Sequence, residues 1–307
     1  MAETAFSVEI DEAETQLSIS VGATEVATYV FRPDMPLKES PKPYFYPLRT
    51  LSGAPLAVYR PWDHRWHKGL AMTWSHVSGQ NFWGGPTYTH GAPGHGYVWR
   101  ENHGRQVHRA FQGWEANGND VSVHEQLDWI ASTGESWITE ARTLRFHAAD
   151  PARGIWALDF ATELANVRGS ALEMGSPTTH GRPGAGYTGL FWRGPRAWTG
   201  GRMVAPGVED GEPVMGRRAP WAAITSEHDE IDGGATVLAV AGESSADVPL
   251  TWFARSHEFA ALNPSPAFDT EISLEPGATL RLGHRFVFVD EVTDRPWIEE
   301  LAGEFGW

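Results

Sequence analysis

The block Arg60-Pro61-Trp62-Asp63-His64-Arg65-Trp66-His67-Lys68-Gly69 gathers the side chains best suited to chemistry. An imidazole titrates at about pH 6.5, so His64 or His67 can give and take a proton near neutrality. With Asp63, the same two histidines have the donor types that ligate a divalent metal. A spacing of three puts two side chains on one face of a helix but not of a regular strand. Pro61 and Gly69 make an irregular loop the better expectation. Read without chemistry, the block is a polar loop whose side chains bond to backbone and to one another.

Eight of the 13 histidines lie between His64 and His124. His90, His95 and His103 fall in a glycine-rich stretch, where solvated side chains are the simpler reading and a direct role the sharper one. Further along come Arg217-Arg218-Ala219-Pro220-Trp221, Trp252-Phe253-Ala254-Arg255-Ser256-His257 and Asn263-Pro264-Ser265-Pro266. Arginine beside tryptophan suits a polyhydroxylated ligand: an indole stacks on the flat apolar face of a sugar while guanidinium donors reach its oxygens. Arginines also cover core tryptophans, and with 15 Trp most must be core. Among the 39 acidic residues, Asp63 and Glu271 stand out only through their neighbours.

Other chemistries lack their signatures. No HExxH, GxSxG or P-loop sequence occurs. Gly184-Ala185-Gly186-Tyr187-Thr188-Gly189 spells GxGxxG, but Leu190-Phe191-Trp192-Arg193-Gly194-Pro195 follows it and cannot sustain the helix a dinucleotide site needs. With no Cys, disulfides, thiolate metal sites and a Cys nucleophile are excluded. A net charge of −15 opposes nucleic-acid binding. No apolar run reaches the roughly 18 residues of a membrane span, and the acidic N-terminal stretch lacks the pattern of a secretory signal. The chain reads as acidic and cytoplasmic, with no nucleic-acid or membrane partner.

The elements that must position these residues are strands. Residues 23–31, 121–130, 136–146, 154–164, 236–240 and 279–289 alternate at period two, with Gly, Pro, Asn and Asp between them. This pattern predicts an all-β, large antiparallel sandwich forming one domain over residues 1–307. Helical periodicity is confined to the tail, where Asp294 can cap a short helix with Pro296 in its first turn, running to about Glu304. Residues 84–104 and 175–216 have no clean period and read as long irregular connections.

The chain resembles a bacterial family known as DUF6807, also labelled "methane oxygenase PmoA". The resemblance spans residues 43–289. It rests on Pro43-Tyr44-Phe45-Tyr46-Pro47-Leu48, the Arg60 to Leu70 block, Asn81-Phe82-Trp83, Gly189-Leu190-Phe191-Trp192-Arg193, Arg217-Arg218-Ala219-Pro220-Trp221 and Asn263-Pro264-Ser265-Pro266. The oxygenase label does not fit a chain without a spanning segment. The family block commonly carries adjacent histidines, Asp-His-x-His-His-x-Gly. Here Trp66 replaces the first of that pair, which removes a three-His metal site from this loop.

The resemblance implies a galactose-mutarotase-like supersandwich, and by analogy work on carbohydrate. The expected reading is an enzyme acting on a small sugar or glycoside, possibly oxidised, by acid/base hydrolysis, elimination or epimerisation, without a cofactor. In that reading His64 or His67 transfers a proton opposite His180. Arg60, Asp63, Arg193, Arg217 and Glu271 bind polar groups, and Trp62, Trp83 or Trp221 stacks on the ring. Two alternatives remain open. One is a non-catalytic sugar-binding or sensing protein. The other is a metal-dependent enzyme using Asp63, His64, His67 and a loop histidine.

Overall fold

The computed structural model describes residues 5–91 and 95–307. The first four residues, part of the stretch read for a signal, and residues 92–94 of the glycine-rich connection lie outside the described residues.

Two eight-stranded sheets dominate. The first runs, edge to edge, through Phe6–Ile10, Gln16–Val21, Thr24–Val30, Tyr44–Leu48, Leu70–Trp74, Thr188–Arg193, Ala261–Ser265 and Thr251–Arg255. The second runs through Arg202–Val204, Trp221–Glu227, Gly234–Ser244, Thr279–Val289, Ile155–Asn166, Ser136–Asp150, Asp120–Ile130 and Arg105–Asn117. Pairing within both sheets is antiparallel. The fold is therefore all-β, as the period-two texture predicts, with one short C-terminal helix.

The sheets pack face to face. Ile19, Tyr29, Phe45, Met72, Trp74, Trp192 and Trp252 of the first meet Val123, Trp129, Leu144, Trp156, Phe160 and Phe286 of the second. Burying such side chains supplies roughly 1.5–3 kcal/mol each, the largest favourable contribution to the fold. One polar network crosses this core. Arg142 binds Glu140 through Nε and Nη2 at 2.8 and 2.9 Å and donates to the Tyr29 hydroxyl at 2.7 Å. The hydroxyl in turn donates to Glu125, which also bonds His108 at 2.7 Å. Each buried charge has a partner, which is what makes the network tolerable in a dry interior.

The outer face of the second sheet is covered by the helix Arg295–Glu304. Ile298, Leu301 and Ala302 seal it against Trp221, Leu238, Val240 and Val287. Asp294 caps the helix, its Oδ1 accepting from Trp297 N at 3.0 Å. No described helix is long and apolar enough to cross a membrane.

The outer face of the first sheet holds a separate aromatic cluster of Trp83, Phe191, Phe253 and Phe268, with Trp66, Tyr187 and Phe259 packed against it. Side chains alternate between the faces of a strand. Leu190 and Trp192 therefore point into the core while Phe191 and Arg193 point outward. Trp252 and Ala254 point in while Phe253 and Arg255 point out. This outer face carries the site.

A histidine pair on an aromatic cavity

The Arg60–Gly69 block forms a flap between the strands Tyr44–Leu48 and Leu70–Trp74. Its two legs meet at a bridge between Tyr59 and Lys68. Between the legs the chain makes two successive turns, with His64 N donating to Pro61 O at 3.0 Å and His67 N to His64 O at 2.9 Å. These turns bring His64 and His67 together, as no strand would. Gly69 ends the flap at φ +61°, where a Cβ would lie 2.1 Å from the Phe45 carbonyl oxygen. Only glycine fits there.

Charged groups anchor the flap from below. Glu39, buried, accepts from Arg60 Nη2 and Lys68 Nζ at 2.6 Å each. Lys42 Nζ donates to the carbonyls of Glu39, Ser40 and Trp83 at 3.1, 3.0 and 2.9 Å. Three acceptors match the three protons of an ammonium. Asn81 shapes the neighbouring turn: its Oδ1 accepts from Trp83 N and Gly84 N at 2.9 Å, which sets the Trp83 ring against the cluster. Gly85, at φ +70°, lies under the Trp66 indole, whose Cε2 would be 2.5 Å from a Cβ at that position.

Flap and sheet enclose a cavity of about 400 Å³. Aromatic walls come from Trp66, Trp83, Tyr97, Tyr187, Phe253 and Phe259, and polar groups from Asp63, His64, His67, Arg182, Arg255 and Glu258. The size falls within the ~300–1,000 Å³ range of small-molecule sites. A second cavity of about 630 Å³ lies alongside, and Arg255 and Glu258 line both.

The two imidazoles stack at 4.8 Å between centroids with planes 27° apart. Asp63 Oδ2 bonds His64 Nδ1 at 3.1 Å, and Arg196 holds the other Asp63 oxygen. A carboxylate on Nδ1 fixes the proton there and leaves Nε2 as the acceptor of neutral His64. Burial lowers the His64 pKa, helped by Arg193 and Arg255 and opposed by Asp63. His67 is almost fully buried, and its Nδ1 has no hydrogen-bond partner. Burial first, then His64, Arg193, Lys42 and Lys68, drive its pKa well below the ordinary value. Both rings are neutral at pH 7.

Arg193 stands behind this pair, 1% exposed, with Nε and Nη1 unpartnered. Its guanidinium lies 3.7 Å from the Phe259 ring centroid, so the ring covers it. Burial lowers its pKa to about 9, partly countered by Asp63.

Sequence reading thus finds Asp63, His64, His67 and Trp83 on the cavity and Arg193 just behind it. The other candidates go elsewhere. Arg60 is bound to Glu39. Trp62 is 79% exposed, with the Arg196 guanidinium 5.9 Å from its ring centroid. Trp221 belongs to the core under the helix. Arg217 is an exposed partner of Glu212. His180, expected opposite His64, stacks on His76 at 4.2 Å and lies 3.8 Å from Glu271, and it is not among the residues that line the cavity. Its Nδ1 bonds the Ser176 carbonyl at 3.0 Å. That turn carries Glu271 with it, through Thr179 Oγ1 at 3.2 Å. Among the described residues, no group of three or more His, Asp or Glu side chains is arranged to hold a metal ion.

Arg182, Tyr187, Arg255, Glu258 and Phe259 were not singled out individually. One signal for two outward arginines was present: Phe191-Trp192-Arg193 and Phe253-Ala254-Arg255 repeat an aromatic-x-arginine pattern on strands separated by one other.

Fold and geometry together define an all-β sandwich protein with an aromatic, arginine-flanked cavity on the outer face of one sheet. Within that class the chain belongs to DUF6807, a family of unknown function, whose profile matches residues 16–303. No curated protein matches the sequence. Among solved structures, the chain is similar to a provisionally assigned aldose 1-epimerase from Klebsiella pneumoniae at 12% identity. That alignment covers 97% of this chain and 86% of the other, with a TM-score of 0.42. It is also similar to a TPR-domain protein from Parabacteroides distasonis at 9% identity, covering 91% of this chain and 48% of the other, with a TM-score of 0.37. A GalM/aldose epimerase homologue from C. elegans matches at 10% identity, covering 94% of this chain and 100% of the other, with a TM-score of 0.32.

Proposed function

We propose that the protein is a carbohydrate-active enzyme that works on a small sugar or glycoside by acid/base chemistry. The observation that carries this reading is the Asp63–His64–His67 arrangement on the wall of the aromatic cavity. Asp63 orients His64 so that Nε2 accepts a proton, and the imidazolium that forms is stabilised by the carboxylate on Nδ1. His67, neutral and shielded, offers a second imidazole to the same substrate. The aromatic walls fit the apolar face of a sugar ring, and Arg182, Arg255 and Glu258 fit its hydroxyl rim.

The test is a thermal-shift screen of the purified protein against sugars, sugar acids, glycosides and keto derivatives. Product analysis then follows with whichever class raises the melting temperature. Turnover that is lost in His64→Ala, with folding intact, is the expected outcome. A His64→Ala protein that turns over normally overturns the assignment.

One observation favours the alternative of a sugar-binding protein without turnover: His180 does not line the cavity, so no second histidine from that turn opposes the pair. Under that alternative, a stabilising ligand is recovered chemically unchanged.

A further inference from the structure

The charge around the cavity runs against the charge of the molecule. The chain carries −15 overall, yet three guanidiniums surround this one space. Arg182 and Arg255 line it, and Arg193 lies behind Phe259. Two carboxylates answer them, and neither is a strong partner. Asp63 is held by Arg196 from outside. Glu258 bonds Arg255 Nη1 at 2.8 Å, but its side chain is 63% exposed. Arg255 itself is mostly buried, so it is the exposed Glu258 carboxylate that is screened by water and free to leave. Among the described residues no carboxylate pairs with Arg182, whose Nη1 donates to the Tyr187 hydroxyl at 3.0 Å, or with Arg193. Arg255 Nε is buried and unpartnered, as are Nε and Nη1 of Arg193.

Buried donors left without acceptors are costly. Here they belong to two guanidiniums beside one cavity, and of the two Arg255 lines its wall, where an incoming acceptor can meet the guanidinium. Ordinary hydroxyls would serve, but they would not offset the unneutralised positive charge. A planar carboxylate would, because it matches the guanidinium fork in both geometry and sign.

We propose that the ligand of this site is an acidic sugar, a uronic or aldonic acid, whose carboxylate is anchored by Arg255 and Arg182. The sugar half of this statement rests on the function proposed above; the anion half rests on the arginines alone. Glu258 occupies the Arg255 anchor in this structure. The ligand carboxylate takes its place on Arg255, and the freed Glu258 turns to solvent. Arg193 does not touch the ligand and adds a fixed positive field from behind the ring of Phe259.

The experiment is calorimetric titration of the full chain with D-glucuronate, D-galacturonate and D-gluconate, each set against D-glucose or D-galactose. Galacturonate methyl ester, glucose 6-phosphate, acetate and inorganic phosphate complete the panel. At least one acid is expected to bind about tenfold more tightly than its neutral parent or ester, the worth of a charge-assisted bond. Arg255→Gln should erase that preference, and Arg182→Gln gives the same reading if Arg255→Gln does not fold. Glu258→Gln should strengthen acid binding up to about fivefold, because it removes the internal competitor. Neutral sugars binding as tightly as acids, or an acid preference that survives both arginine variants, overturns the anion proposal and leaves the carbohydrate reading standing. Acetate binding without any sugar overturns the carbohydrate reading and leaves the anchor. Glucose 6-phosphate or inorganic phosphate binding above the uronates overturns the choice of carboxylate. No binding by any acid overturns the proposal outright.

Discussion

His64 and His67 stack with their ring centroids 4.8 Å apart. Two imidazolium ions cannot share that distance without strong repulsion, and burial disfavours the charge on either ring. Holding the pair neutral is therefore a property of the flap itself.

The first expectation concerns titration. Both histidines have pKa values lowered from the ordinary one, His67 the further. Nitrogen-15 NMR of the imidazoles should show His67 still neutral at pH 6 and below, where a free histidine would be protonated. A His67 that titrates at about pH 6.5 would contradict the burial argument.

Acid should destabilise the fold through a histidine far from the cavity. His284 is fully buried in the strand Thr279–Val289, both ring nitrogens lack partners, and burial lowers its pKa to about 3. The unfolded chain gains that proton near pH 6.5 while the folded chain refuses it. The stability is thus complete above that pH and is lost progressively as pH falls toward 3. At pH 5 the loss is about 2 kcal/mol. His284→Leu should raise the melting temperature, and more at pH 5 than at pH 7. An equal shift at both values would exclude the linkage.

Gly69→Ala should destabilise the protein by more than about 2 kcal/mol, since the new methyl meets the Phe45 carbonyl at a positive φ. Chemical denaturation reads this directly. The substitution should also loosen the flap, so any ligand binding falls with it.

Glu39→Gln should cost about 3–5 kcal/mol. The substitution leaves the buried Lys68 ammonium without its anion and frees Arg60, at the start of the flap, from its anchor. A double variant, Glu39→Gln with Lys68→Met, should recover part of the loss. If the double variant is no better than the single, the pair is not the reason for Glu39.

Much of this molecule could be read from its residues. Strand-forming stretches announced themselves because each sheet buries one face deeply, so the apolar set recurs at every second residue. The helix announced itself through Asp294 and Pro296. Pro61 and Gly69 marked the flap, and its histidine pair did reach a cavity. What could not be read was which remote strands stand beside it. Arg182, Arg255 and Phe259 are far from the flap in sequence and close only because Thr188–Arg193 and Thr251–Arg255 belong to one sheet. Trp221 was misjudged for a related reason. Beside two arginines it looked like a ligand-stacking residue, but the strand alternation turns it under the helix. Other motif residues proved architectural: Asn263 Nδ2 spans to the carbonyls of Thr188 and Leu190 at 2.9 Å and fastens two strands together.

Phe259, laid over Arg193, acts as electrical insulation. A charge facing water gathers counterions and fades within about 10 Å at 0.1 M salt, whereas a charge sealed under a hydrocarbon ring is screened much less. The cavity consequently has two kinds of electrostatics. Arg182 and the exchangeable Arg255–Glu258 pair answer to the surrounding electrolyte. Arg193 answers far less, and its opposition to a proton on the histidine pair changes little between brine and dilute buffer.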